Sequence, residues 1–262
     1  MNALPTIAFA LILASAAIQA PYLFRKDGKS DPASHWLLMA AFLALAAVSI
    51  YRSVAIGFPA LTGTFESLVF FSAFIVLLAW IYRTQVRIVF LPLVQFGATI
   101  AAAAFLAVAS SPIAPREMLA PIPALRSGWL VLHVSLSFIG ESFFVASFAA
   151  SVAFLASKDE RKKRDYDRIA YVSIGAGYPI FTAGALVFGA IWAEQAWGSW
   201  WSWDPKEIWA LVTWLAYTAY LHLRLFRRRK DSLPSIFAIL GFLCALFTFF
   251  GVNFLLTGLH SY

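Results

Sequence analysis

Eight apolar runs, each close to the length needed to cross a bilayer, govern what this chain can become. Spanning the hydrocarbon core takes about 20 apolar residues, and such runs occur at 4–24, 36–56, 66–82, 88–109, 129–157, 170–193, 208–223 and 235–256. Lipid offers no water to satisfy backbone N–H and C=O groups, so each run is expected to be a helix. The prediction is an all-α fold, a polytopic membrane helix bundle of about eight transmembrane helices treated as a single membrane domain over residues 1–262. Composition agrees, because a chain that is 61% apolar and only 13% charged lies far from soluble domains. The net charge of +7 does not point to nucleic acid. Its positive residues fall between apolar spans instead of gathering on one folded face, so the expected partner is the lipid bilayer. The single cysteine, Cys244, excludes an internal disulfide and any cysteine-based metal site.

Charge between the runs sets the expected orientation. Sixteen of the twenty Lys and Arg residues follow runs 1, 3, 5 and 7, and only Arg52, Arg116, Arg126 and Lys206 lie on the opposite side. The positive-inside rule puts the sixteen in the cytoplasm and both termini outside. The basic stretch at 158–168 is expected to be a solvated inner loop. The outer stretch at 110–127 holds four prolines, so no helix is expected through it. Thr64 is a candidate cap for the third span. The first residues, Met1 to Thr6, carry no Lys or Arg, so the opening run is expected to be a retained span.

One outer segment is chemically unlike the rest. Trp197–Trp209 holds five of the ten tryptophans within thirteen residues. An indole has a broad apolar face and one N–H donor, which suits a membrane-water interface or the flat face of a large planar ligand. The rings fall in an expected loop at 194–207. Asp204 stands at the N-cap position of the next helix, with Pro205 at its first residue and Glu207 three residues after the cap.

The histidines separate by depth. His133, about one turn into run 5, and His260, just beyond run 8, fall on the outer side with the tryptophans. Two imidazoles and an aromatic platform on one surface are what a bis-histidine haem site needs. His222 lies some thirteen residues past Trp209, toward the cytoplasmic leaflet, where an ionisable group is a functional candidate. His35, beside Trp36, reads as interfacial. Glu141 lies about 12 Å deeper than His133 along the helix, where a carboxylate must be protonated, paired or wet. Its partner is not visible in the sequence. Asn253 precedes His260 by seven residues and reads equally as a packing hydrogen bond or as a neighbour of a ligand.

These residues carry a resemblance. The stretch from Trp197 to Trp214, followed by Tyr220-Leu-His-Leu-Arg224, resembles the tryptophan-rich signature of the haem-handling proteins of cytochrome c maturation. Within that superfamily it is most similar to the CcsA (ResC) family, subunits of the system II cytochrome c synthase. Phe58-Pro59, Glu66-Ser67, Ala124 to Val134, Gly177-Tyr-Pro, Gly184, Trp192-Ala-Glu and Phe250 to Tyr262 extend the likeness in the same order. The resemblance implies that His133 and His260 are the axial ligands of an external haem. Trp197, Trp201, Trp203 and Asp204 then hold the haem edge, and His222 is a membrane-embedded ligand that meets the iron in passage. Glu141 departs from the family pattern.

The implied function is haem handling in cytochrome c biogenesis. Haem b, as transported substrate, moves across the membrane and is presented for covalent attachment to the Cys-X-X-Cys-His segment of an apocytochrome c. A CcsB (ResB)-type membrane subunit is the implied partner, and this chain is not expected to be active alone. The expected location is a bacterial inner (plasma) membrane with the site facing outward. The alternatives are a system I-type protein that hands haem to a chaperone, a proton-coupled small-molecule transporter using His222 and Glu141, and a purely structural membrane subunit.

Overall fold

The computed structural model describes residues 3–25, 30–85 and 91–256, and every regular element among them is helical. Internal contacts divide the chain into two compact units, Met1–Arg126 and Ser127–Tyr262. Nothing in the apolar runs signals that division.

The first unit contains α1 (Ala3–Gln19), α2 (Ser34–Ile56), α3 (Thr64–Thr84) and α4 (Pro92–Ala109). Helix α1 packs on α2, α2 on α3, α3 on α4 and α4 back on α1, which closes a ring of four. Ile12, Leu38, Leu45, Leu68, Ile75 and Leu106 fill its centre. In lipid the hydrophobic effect does not drive helices together, and buried polar side chains become the adhesive. Gln19 Nε2 donates to Thr99 Oγ1 at 3.1 Å, Gln95 Nε2 to Ser34 Oγ at 3.1 Å, and Ser15 Oγ to the Ser34 carbonyl at 3.1 Å, tying α1, α2 and α4 together. Helix α3 starts one residue earlier than a Thr64 cap requires. Its N-cap is Gly63, where a Cβ would collide with the Glu66 carboxylate.

The second unit holds the longer elements. They are α5 (Gly128–Ala156), α6 (Glu160–Phe181), α7 (Gly189–Trp197), α8 (Pro205–Leu225), α9 (Ser232–Leu246) and α10 (Val252–Leu255). A π-helical turn, Thr182–Phe188, joins α6 to α7, and a second, Phe247–Gly251, joins α9 to α10. Helices α5, α6, α8 and α9 again form a ring of neighbours. Phe144, Phe181 and Tyr217 lie in its core, with the Phe144 and Tyr217 rings stacked at 3.7 Å.

Two sequence expectations change here. The basic stretch expected as a loop is helical from Glu160, because Asp159 caps it by accepting the Arg161 and Lys162 N–H groups. The charged residues form the first turns of a helix whose apolar part follows. Of the eight expected spans, seven described helices are long and apolar enough to cross a membrane. Helix α8 is 21 residues long but falls outside that group. Its tryptophans, tyrosines, His222 and Arg224 dilute its apolar character. Arg224 is paired inside the unit, donating from Nη2 to Asp167 Oδ2 at 3.0 Å with the side chains 7% and 14% exposed, which clamps α8 to α6.

Candidate functional site

Helix α5 begins at Ser127, whose Oγ accepts the Trp129 N–H at 3.2 Å and donates to Gln195 Oε1 on α7. This double role fixes the start of α5 against α7. His133 lies in the second turn of α5, opposite the π turn. Its Nδ1 lies 2.9 Å from the Gly184 carbonyl oxygen. A carbonyl only accepts, so Nδ1 carries the proton in this contact. The same carbonyl receives the Gly189 N–H, the long-range backbone bond of the π turn.

Glycines make this geometry possible. A Cβ at Gly184 would overlap the Ser137 backbone nitrogen and lie 2.7 Å from the Leu136 carbonyl carbon. A Cβ at Gly189 would lie 3.0 Å from His133 Nδ1. Gly140 and Gly177 do the same one and two turns along: a Cβ on either would approach the facing helix to 2.7–2.8 Å. Small residues bring α5 and the α6–π–α7 rod into backbone contact, and the imidazole sits at the end of that seam.

Aromatic rings enclose the imidazole. The Trp192 indole lies parallel to it, with centroids 6.0 Å apart and an interplanar angle of 7°. Trp192 is fully buried and meets Trp197 edge-on at 5.7 Å. Gly198, at φ 73°, then ends α7 in the left-handed conformation that favours glycine. The loop proper is 198–204, shorter than the expected 194–207 because helix occupies both its margins. Trp201 and Trp203 meet edge-to-face at 5.8 Å, and Trp203 holds a left-handed φ of 59°. A bulky residue in that region is a local strain that surrounding contacts must hold. Trp203 projects outward, 66% exposed. The indole N–H groups of Trp197 and Trp201 are buried and have no hydrogen-bond partner among the described residues. These two donors lie at the end of α7 and in the loop that follows it.

The loop ends as the sequence predicts. Asp204 caps α8 by accepting the Lys206 N–H at 2.9 Å, and Glu207 reaches back to the Asp204 and Ser202 N–H groups at 3.2 and 2.8 Å. Asp204 is buried and has a structural task independent of any ligand. Beneath the loop, Lys206 Nζ donates to Asn253 Oδ1 at 2.9 Å. Glu141 and Asp204 are the carboxylates whose charge acts on Lys206. Burial is the larger influence on both Glu141 and Lys206, no hydrogen bond or ion pair joins them among the described residues, and Asn253 makes the packing bond. Both links join residues far apart in sequence.

His133 and Trp197 thus meet around Trp192, and Trp201, Trp203 and Asp204 follow in the adjoining loop. His222 belongs elsewhere. It lies seventeen residues beyond Pro205, about 26 Å along α8, on an exposed face where its ring stacks on Phe226 at 5.3 Å. His260 lies outside the described residues. Sequence reasoning had Gly184 and Trp192 in view only as parts of a resemblance. It missed Gly189, the Ser127–Gln195 tie and the Lys206–Asn253 bond, which no periodic pattern announces.

The cytochrome c assembly protein family matches residues 63–260. The cytochrome c biogenesis protein CcsA of Prochlorococcus marinus is 35% identical, over 99% of this chain and 92% of the relative. That of Chlamydomonas reinhardtii is 44% identical over 54% of this chain, and that of Guillardia theta 38% identical over 54%. In these two, the matched stretch spans about half of the relative, 42% and 56%. The fold is similar to that of the cytochrome c haem lyase CcmF, with a TM-score of 0.75 over 95% of this chain and 46% of that one, at 19% identity. The chain belongs to the cytochrome c assembly protein family, among its CcsA members, and its work lies in cytochrome c biogenesis.

Proposed function

We propose that the second unit holds haem, as substrate, at its outer end, with His133 and His260 as axial ligands and the tryptophan loop against the macrocycle. The observation that carries this reading is the fixed His133 ring. Its Nδ1 meets the Gly184 carbonyl and its plane is matched by Trp192, so the imidazole is held in one orientation. The orphan indole donors of Trp197 and Trp201 support it, since they await acceptors. A pre-set imidazole loses little freedom on binding iron.

The chemistry then requires only positioning from this chain. A thiol of the substrate's Cys-X-X-Cys-His segment adds across a haem vinyl group. One S–C bond forms at the expense of the C=C π bond, and the thiol proton ends on the neighbouring carbon with no net redox change. His133 and the rings hold haem so that the vinyl edge meets the thiols. His222, exposed toward the far end of α8, is assigned to haem in passage, with its opposing ligand supplied by a CcsB (ResB)-type subunit. The apocytochrome is the second substrate, and the membrane is a bacterial inner membrane with this site outward.

The transporter reading has less support, because the group coupled to Glu141 is Lys206, sixteen residues and about 24 Å along α8 from His222. Co-expression with the partner subunit and a Cys-X-X-Cys-His reporter tests the proposal. The native chain yields reporter carrying covalent haem and His133→Ala does not. Equal maturation of the reporter by both proteins refutes it.

A further inference from the structure

The first unit has a charged cavity that the haem reading does not use. Arg52, near the end of α2, is only 8% exposed. Its Nε donates to Glu66 Oε1 at 2.8 Å and its Nη2 makes an ion pair with the same carboxylate. Nη2 also reaches the carbonyls of Arg116 and Glu117 at 3.0 and 3.3 Å, which pins the proline-rich segment onto α2. This pair is charge-neutral. The guanidinium of Arg116 lies 5.5 Å from the Phe65 ring, which Arg52 also approaches, at 4.7 Å. Two guanidiniums share the Phe65 ring, but only that of Arg52 is paired with a carboxylate. Arg116 makes no hydrogen bond or ion pair from its side chain among the described residues.

Arg52 and Arg116 line a cavity of about 240 Å³ whose remaining wall is Pro5, Val48, Tyr51, Phe65 and Met118. That volume lies below the roughly 300–1,000 Å³ of clefts that engulf a whole ligand, so it admits a headgroup and not a macrocycle. The segment above it exposes Ile113, Met118, Leu119 and Ile122 at 45–69%. Exposed apolar side chains in a run of prolines beside a fixed cation suit the boundary between headgroups and acyl chains.

We propose that this cavity binds the phosphate headgroup of one anionic phospholipid, with Arg116 as its principal ligand and the Arg52–Glu66 pair as the strut that holds the segment in place. The planar guanidinium fork matches two phosphate oxygens, and the apolar wall receives the adjoining glycerol and upper acyl carbons. The inference is independent of the haem site.

The test uses the full-length chain in nanodiscs of phosphatidylcholine with a minor fraction of phosphatidylglycerol, followed by native mass spectrometry. The native chain retains one phosphatidylglycerol above the phosphatidylcholine background. Arg116→Gln weakens retention about tenfold, close to 1.4 kcal/mol. Arg126→Gln, a control on an exposed cation outside the cavity, leaves it unchanged. Arg116 is exposed and makes no structural side-chain bond, so its variant folds, as an unchanged melting temperature verifies. Equal retention in the Arg116 and Arg126 variants overturns the site, as does equal retention of the two lipids. Displacement of the lipid by millimolar inorganic phosphate overturns the lipid assignment in favour of a free anion.

Discussion

Replacing Gly189 by alanine separates the geometry of the imidazole from the stability of the unit. The added Cβ stands 3.0 Å from His133 Nδ1 and 3.2 Å from Cε1, against an ordinary contact of at least 3.4 Å. The ring must therefore retreat by about 0.2–0.4 Å, stretching the 2.9 Å bond to Gly184 to about 3.1–3.3 Å, at the outer edge of a good N–H···O bond. A hydrogen bond of this kind contributes about 0.5–1.5 kcal/mol net. Haem affinity should fall about two- to tenfold. Helix propensity gains about 0.5–1 kcal/mol from the same change, so the melting temperature should hold or rise slightly. Two companions calibrate the result. Gly175→Ala meets nothing within 4 Å and should stabilise without touching haem binding. Gly184→Ala strikes the Ser137 backbone, which cannot step aside, and should cost about 1–3 kcal/mol of stability as well as binding. Haem titration and thermal unfolding of the three variants decide the matter. If Gly189→Ala binds haem as tightly as Gly175→Ala, the imidazole is not positioned by this seam.

Other consequences follow from the same structure. Asp204→Ala should lose the α8 cap at a cost of about 0.5–2 kcal/mol, and Asp204→Ser should recover most of it. If hydrogen exchange at 206–208 is equally fast in both, capping is not the role of Asp204. A double-mutant cycle over Glu141→Gln and Lys206→Met should return a coupling of about 0.5 kcal/mol, since the two charges act on each other. Strict additivity in chemical unfolding contradicts that pairing. The Arg161 and then the Lys162 N–H groups hold the exposed Asp159 carboxyl below its ordinary pKa. Its capping of α6 is present above the unfolded carboxylate pKa and disappears as pH falls through the lower folded value. Amide exchange at 160–164 should accelerate across that acid window in the native chain and be fast and pH-insensitive, after correction for intrinsic rates, in Asp159→Ala.

Local chemistry was the legible part of this chain. Asp204, Pro205 and Glu207 lie within four residues, and their side chains answer backbone groups just as near, so the capping box could be read directly. Apolar length likewise announced most of the spans. What escaped was set by partners distant in sequence. The charged residues after Asp159 look like a solvated loop until one sees that the cap starts a helix whose apolar half comes later. The π turn at Thr182–Phe188 has no composition signal, yet it turns the Gly184 carbonyl toward His133. Glu141 looked unpartnered because Lys206 lies sixty-five residues away. Likewise, Gly63 takes the cap position in place of Thr64 because the adjacent Glu66 carboxylate fills the space of a side chain there.

The most direct test of the haem site is the electron paramagnetic resonance spectrum of ferric protein from a haem-replete host, native and with His133→Gly or His260→Gly. Two imidazoles on iron give a low-spin signal in the native chain. Each glycine variant should turn high-spin and regain the low-spin signal when free imidazole is supplied. A low-spin spectrum untouched by both substitutions contradicts the ligand pair.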